Sequence, residues 1–245
     1  MVITSVQNTK IKELSKLKEK KYRDIEKKYL IEGFHLIEMA KDYLLEILTT
    51  DSKNIPSNID LNKVNVTIVS DEVIKKLAFT KTPQPIIGVC KYFDSNINYN
   101  ETGILLDNLQ DPGNIGTILR SALAFNINNI ILSKDSVDIY NDKVIRASQG
   151  AIYKLNISYL NLLDAINNYK NKEIKVFGTS LHNGKELTSF NKVSKYALVL
   201  GNEGNGVSKE LLDKTDNNIF IEMEDKIDSL NVSIAGAIIM HYFYK

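Results

Sequence analysis

Three short stretches in the second half of the chain carry the residue types that chemistry needs. The first runs Asp111-Pro112-Gly113-Asn114-Ile115-Gly116-Thr117-Ile118-Leu119-Arg120 and reads as a turn that opens a helix. Asn114 suits the cap of that helix, which would carry Ile115, Ile118, Leu119 and Ala122 inward. Glycine inside a helix costs about 1 kcal/mol against alanine, and Gly116 lies one turn before Arg120 on the same face. A missing side chain there leaves room for a ligand or a backbone beside the guanidinium; a capped helix with a surface arginine is the plainer alternative. The second stretch, Leu200-Gly201-Asn202-Glu203-Gly204-Asn205-Gly206-Val207-Ser208, directly follows an apolar run. Its glycines suit either close backbone approach to a ligand or a simple turn. It has neither the Gly-Lys-Ser/Thr of a phosphate loop nor the spacing of a dinucleotide fingerprint. Glu203 can accept hydrogen bonds there or pair with an arginine. The third stretch, residues 221–233, leads into Ile234-Ala235-Gly236-Ala237-Ile238-Ile239-Met240. Ser229 or Asn231 is expected to cap this closing helix, and Ala235, Gly236 and Ala237 allow it to pack closely.

The elements that must position these stretches alternate. Strands are expected at Ile104–Leu106, Ile130–Leu132, Ile174–Phe177, Ala197–Leu200 and Ile219–Ile221. Helices are expected over 114–126, 160–170 and about 230–243. Short, fully apolar strands between helices indicate a buried, mostly parallel sheet, and such sheets bind ligands at the carboxyl ends of their strands. Earlier in the chain, Tyr29–Ile31, Leu45–Leu48 and Val66–Val69 read as strands, and 33–40 as a helix. Ser70-Asp71 caps a further helix through Leu77. The polar stretch 94–100 lacks periodicity and reads as linker. The expected organisation is a small α/β domain over 1–95, a linker over 96–102, and a larger α/β domain over 103–245.

The composition is that of an ordinary globular α/β protein, 245 residues with 43% hydrophobic and 25% charged residues. Its net charge of +1 gives no global nucleic-acid signal. Residues 1–30, however, hold nine Lys/Arg against four Asp/Glu. The cluster Lys10, Lys12, Lys16, Lys18, Lys20, Lys21, Arg23, Lys27 and Lys28 suits a phosphate backbone, or equally a solvated helix face. The single cysteine, Cys90, cannot form an internal disulfide and sits in an apolar run, as a small buried hydrophobe would. With no leader and no long apolar segment, a cytoplasmic location without membrane contact is expected. The glycosylation-type triplets at Asn65, Asn156 and Asn231 then read as chance matches. His35, His182 and His241 are too scattered to suggest a metal site.

Taken together, Asn114-x-Gly116-x3-Arg120, Leu200-Gly201-Asn202-Glu203-Gly204-x-Gly206 and Ser229-Leu230-Asn231-Val232-Ser233 with Ala235 and Ala237 resemble the SpoU (TrmH-like) family of RNA ribose 2′-O-methyltransferases, within the knotted SPOUT superfamily. The resemblance covers 103–245. Through Leu30-Ile31-Glu32-Gly33, the N-terminal region is similar to the family's ribosomal-protein-like α/β substrate-binding domain. The resemblance implies a C-terminal α/β fold tied into a deep trefoil knot, with S-adenosyl-L-methionine bent into the knot. It implies cofactor contacts at Leu200, Gly201, Ile221, Met223 and Leu230, with Thr179 and Ser180 lining the same pocket. It places Asn114, Arg120, Glu203, Ser229 and Asn231 at the polar active-site positions. The family proposal of Arg120 as base sits uneasily with a guanidinium that stays protonated; gripping the target phosphate is the other role. The implied substrate is a structured RNA, ribosomal RNA ahead of tRNA, held by Arg120 and the cluster Lys10 to Arg23. A homodimer is implied, with the 114–120 loop of one chain facing the other chain's cofactor, and no metal. Glu222 stands where the family has proline, leaving that loop less rigid. A catalytically inactive RNA-binding protein and a nucleotide-binding protein are the rival readings. Intact Arg120, Glu203 and Asn231 argue against the first, and the absent loop lysine against the second.

Overall fold

The computed structural model describes residues 2–181, 184–224 and 226–244, so His182 and Asp225 lie outside the described residues. The chain forms two compact units.

The first unit comprises the chain up to Asp94 together with Asp138–Tyr153. Its elements are β1 (Val2–Ile3), α1 (Thr9–Lys16), α2 (Lys20–Glu26), β2 (Lys28–Glu32), α3 (Phe34–Met39), β3 (Leu44–Thr49), β4 (Asn65–Val69), α4 (Asp71–Leu77) and β5 (Ile86–Lys91). They make a five-stranded sheet in the order β1-β4-β3-β5-β2. β4 runs parallel to β1 and β3, while β5 is antiparallel to β3 and β2. The apolar run around Cys90 is therefore a strand between two others, and Cys90 is fully buried. Burial pushes its thiol up, as expected of an inert packing residue. Ile11, Leu30, Leu48, Val73, Ile74, Leu77 and Val89 join α1 and α4 to the sheet in one core. Ser70 precedes α4 as expected but makes no side-chain cap; its hydroxyl donates to Thr4 O at 3.2 Å.

The second unit comprises Ser95–Val137 and the chain from Lys154 onward. It starts with β6 (Gly103–Leu106), α5 (Pro112–Ala124) and β7 (Asn129–Leu132). The chain then leaves for the first unit, where it forms α6 (Asp142–Ser148), before returning. The remaining elements are β8 (Asn156–Tyr159), α7 (Leu162–Asn171), β9 (Lys175–Thr179), β10 (Lys185–Glu186), β11 (Tyr196–Leu200), α8 (Lys209–Leu212), β12 (Asn217–Phe220) and α9 (Val232–Phe243). Seven strands line up as β10-β12-β9-β11-β6-β7-β8, and every pairing is parallel. β6, β7 and β11 are buried along their whole length, as their largely apolar sequences require. The stretch expected as linker is fastened to this unit. Ile97 and Tyr99 pack on its core, and Asn98 N donates to Asn129 Oδ1 at 3.1 Å. Among the described residues, no helix is long and apolar enough to cross a membrane.

Candidate active site

Every residue at the site comes from the second unit. β12, β9 and β11 are neighbours in the sheet, and the segments leaving their carboxyl ends enclose a cavity of about 1100 Å³. Thr179 and Ser180 line it at the end of β9, Leu200, Gly201 and Glu203 at the end of β11, and Ile221, Met223, Ser229, Leu230 and Asn231 after β12. Thus the sequence-expected cofactor positions share one cavity with three of the five expected polar positions.

The loop after β11 doubles back on itself. Asn202 N donates to Gly206 O at 3.0 Å, and Gly206 N returns a bond to Asn202 O at 2.8 Å. The closure brings backbone against backbone at Gly201, where an added Cβ would sit 2.0 Å from Gly206 C and Val207 N. No side chain fits there, so this glycine is fixed by contact rather than by conformational freedom. Gly206 turns the loop at φ +69°, in the left-handed region. The loop is also fastened to the segment after β6. Asn202 Nδ2 donates to Asn108 O at 2.8 Å, and Ser208 N to Asp107 Oδ2 at 2.9 Å.

Asn114 was expected to cap α5, but Asp111 does so, its Oδ1 accepting from Asn114 N at 2.8 Å with Pro112 in the first turn. Aspartate followed by proline is itself a helix-start signature, so the sequence carried the signal. With the cap supplied by Asp111, the Asn114 amide is left to join a polar chain at the cavity wall. Asn231 Nδ2 donates to Asn114 Oδ1 at 2.9 Å, and Asn114 Nδ2 donates to Glu203 Oε1 at 2.9 Å. Asn231 is also the cap of α9, its Oδ1 accepting from Ser233 N at 2.9 Å and Ile234 N at 3.4 Å. One asparagine thus starts the final helix and holds the polar chain. Burial works to raise the Glu203 carboxyl. The Asn114 amide and the backbone N–H groups of Glu203, Asp111 and Gln110 outweigh it and hold the group below the usual carboxylate range.

Ser229 lines the cavity but makes no hydrogen bond among the described residues. Arg120 stands apart. It is exposed in the second half of α5, does not line the cavity, and has no hydrogen bond or ion pair among the described residues. Gly116, one turn before it, is buried. No three His, Cys, Asp or Glu side chains among the described residues cluster as a metal site would need.

The basic cluster in the first unit divides sharply. Arg23 was expected to meet RNA phosphates, but it is 5% exposed and committed within its own unit. Its Nε and Nη2 donate to Asp138 Oδ2 at 3.1 and 2.6 Å, and its Nη1 to Leu17 O and Lys18 O at 3.0 and 2.7 Å. Lys10 pairs with Glu46 and donates to Thr67 Oγ1 at 3.2 Å. Lys18 donates to Lys76 O and Ala78 O, and Lys20 pairs with Asp24 at 2.6 Å. Lys12, Lys16 and Lys21 are exposed, and their side chains make no hydrogen bond or ion pair among the described residues. The partner of Arg23 lies 115 residues along the chain, which is why a sequence scan places this arginine on the surface.

Comparison with known proteins adds an independent line. Residues 101–241 match the family model of the SpoU rRNA methylases, and residues 8–88 match the MRM3-like substrate binding domain. The chain is 34% identical to the 23S rRNA (guanosine(2553)-2′-O)-methyltransferase RlmP of Bacillus subtilis, covering 98% of both chains. It superposes on an AdoMet-bound rRNA methyltransferase from Sinorhizobium meliloti with a TM-score of 0.89 at 26% identity, covering 99% of this chain and 97% of the other. The fold is also that of the SpoU methyltransferase AviRb from Streptomyces viridochromogenes, with a TM-score of 0.86 at 20% identity and 97% coverage of both chains.

Proposed function

The chain belongs to the SpoU rRNA methylase family, and on that premise we propose that it transfers a methyl group from S-adenosyl-L-methionine to a ribose 2′-hydroxyl of ribosomal RNA. The observation that carries this reading is the cavity at the ends of β9, β11 and β12, with the Asn231–Asn114–Glu203 chain at its wall. The match over almost the whole length of RlmP supports 23S rRNA, and a guanosine, as the target.

The residues present fit an adenosine-bearing sulfonium. Leu200, Ile221 and Leu230 supply apolar surface, and Gly201 lines the cavity beside them. The hydroxyls of Thr179 and Ser180 supply polar contacts at one end. When bound, S-adenosylmethionine supplies the electrophilic methyl carbon. The protein's task is then to align the ribose oxygen and to stabilise the charge and proton leaving it. Glu203, held ionised by its donors, is an acceptor at neutral pH and so serves as a fixed negative group rather than a proton donor. Arg120 remains protonated and suits the phosphate of the target nucleotide.

A homodimer completes the reading. Arg120 does not line the cavity of its own chain, and α9 leaves Ile234 52% and Ile238 39% exposed. A second copy packed on α9 would cover both and bring its Arg120 toward the neighbouring cavity. The deep trefoil knot implied by the family resemblance belongs to the same reading, and the protein would act in the cytoplasm, where ribosomal RNA is. The deciding experiment has two parts. Calorimetry with S-adenosylhomocysteine in the presence of chelator should show one site per chain. Mass-spectrometric mapping of 23S rRNA from a deletion strain should show one ribose methylation lost, restored by the purified enzyme. Binding heat without any lost methylation would favour a catalytically inactive RNA binder.

A further inference from the structure

Lys12, Lys16 and Lys21 are the cations of α1 and α2 whose ammonium groups have neither a hydrogen bond nor an ion pair among the described residues. Two of them lie over an aromatic ring. The ammonium groups of Lys16 and Lys21 lie 5.6 and 5.8 Å from the centre of the Tyr22 ring, which is itself part-exposed. Ile25, three residues further along α2 and on the same side, is 64% exposed. The helix that presents them is anchored by the buried Arg23–Asp138 pair. The helix thus shows water an aromatic ring and a branched aliphatic side chain, bordered by lysines that have no carboxylate partner among the described residues.

Lysines alone suit any phosphate backbone. A duplex, however, offers phosphates without an open base face, and would leave the ring and Ile25 with nothing to touch. An unpaired nucleotide satisfies both parts, since its base stacks on an aromatic or aliphatic surface while its phosphates meet the cations. We propose that Tyr22 and Ile25 form a platform for an unpaired base of the RNA, with Lys12, Lys16 and Lys21 holding the flanking phosphates. The proposal rests on reading the first unit as the RNA-binding unit. It further specifies a single-stranded feature in the substrate, such as a loop or a bulge, as what this unit reads.

The chain contains no tryptophan, so Tyr22→Trp places a single fluorescent reporter on the platform of the full-length protein. Titration with single-stranded oligoadenylate should quench this reporter to saturation. A duplex of equal phosphate count should bind without quenching it. Tyr22→Ala should weaken binding of the single strand roughly fivefold to a hundredfold, the range for loss of one stacked base, whereas Tyr22→Phe should bind as the wild type. Binding of S-adenosylhomocysteine should be unchanged in all three variants. That separates failure of the platform from failure of the methyltransferase reading, and an unchanged urea transition of the first unit confirms that each variant is folded. Equal quenching by duplex, no quenching by either RNA, or wild-type affinity in Tyr22→Ala would overturn the proposal. Quenching by polyglutamate as strong as that by oligoadenylate would assign the face to an acidic protein instead.

Discussion

Asn231 binds two features that a sequence shows separately. As the cap of α9 it uses its carbonyl oxygen, and as the head of the polar chain it uses its amide nitrogen. Replacing it with alanine removes both, at a cost of about 1 kcal/mol for the cap alone. Asn231→Asp separates them. The carboxylate still caps the helix but turns an oxygen toward Asn114, whose amide then faces a carboxylate at each end, Asp at one and Glu203 at the other. Whichever way that amide turns, one contact becomes oxygen against oxygen. The expected outcome is thermal stability closer to wild type than that of Asn231→Ala, with methyl transfer lowered on the order of 10- to 100-fold, measured side by side by calorimetry and turnover. A second prediction concerns Glu203. Because the folded protein holds its carboxyl below the ordinary value, its stabilising contribution is present above the unfolded value and is lost only as pH falls through the folded one. Between pH ~5.5 and ~8 the group therefore stays ionised. The ratio of wild-type to Glu203→Gln rates should be flat across that window, and a ratio that climbs with pH would show Glu203 titrating there.

At the level of elements, the insertion carrying α6 is held by a buried ion pair. Arg23 and Asp138 meet with side chains 6% and 9% exposed, and two carbonyls accept further bonds from the guanidinium. Removing one partner of a buried pair leaves the other charge uncompensated, typically about 3–5 kcal/mol. Asp138→Ala should therefore lower the urea midpoint of the first unit and open residues 138–153 to protease, while a surface control such as Lys20→Ala should do neither. Around the pair, the Tyr92 and Tyr140 rings stack at 3.7 Å, and Tyr29 lies 4.9 Å from Tyr140. Much of the rest was legible beforehand. The apolar runs at 104–106, 130–132 and 197–200 are strands because an all-parallel sheet buried on both faces tolerates little else. β8 and α6 escaped notice because Asn156–Tyr159 alternates polar with apolar, and α6 is only seven residues long. β5 was seen only as an apolar run around Cys90. The cap at Asp111 was misassigned because Asp-Pro-Gly also spells a turn. Arg23 was misplaced because local charge says nothing about a partner a hundred residues away.

For the molecule as a whole, the prediction concerns assembly. Ile238→Lys places a charge on the exposed face of α9 and should convert a dimer into a monomer by light scattering, with loss of activity but retention of the fold. If Arg120 serves the neighbouring cavity, mixing Arg120→Ala with Asn231→Ala under subunit exchange should restore part of the activity, because each mixed dimer then has one intact site. If both residues served one cavity of one chain, the mixture would stay inactive. The excursion of 138–153 has a further consequence, one of timing. The strands and helices of the first unit leave the ribosome long before the segment that completes it. Arg23 is made 115 residues ahead of its counter-ion. At ~5–20 residues per second, that is roughly 6–23 s in which a guanidinium destined for the interior has no carboxylate. The unit that begins the chain is therefore completed only after the first strands of the catalytic sheet have been made, although still ahead of the second unit, whose chain runs on to α9.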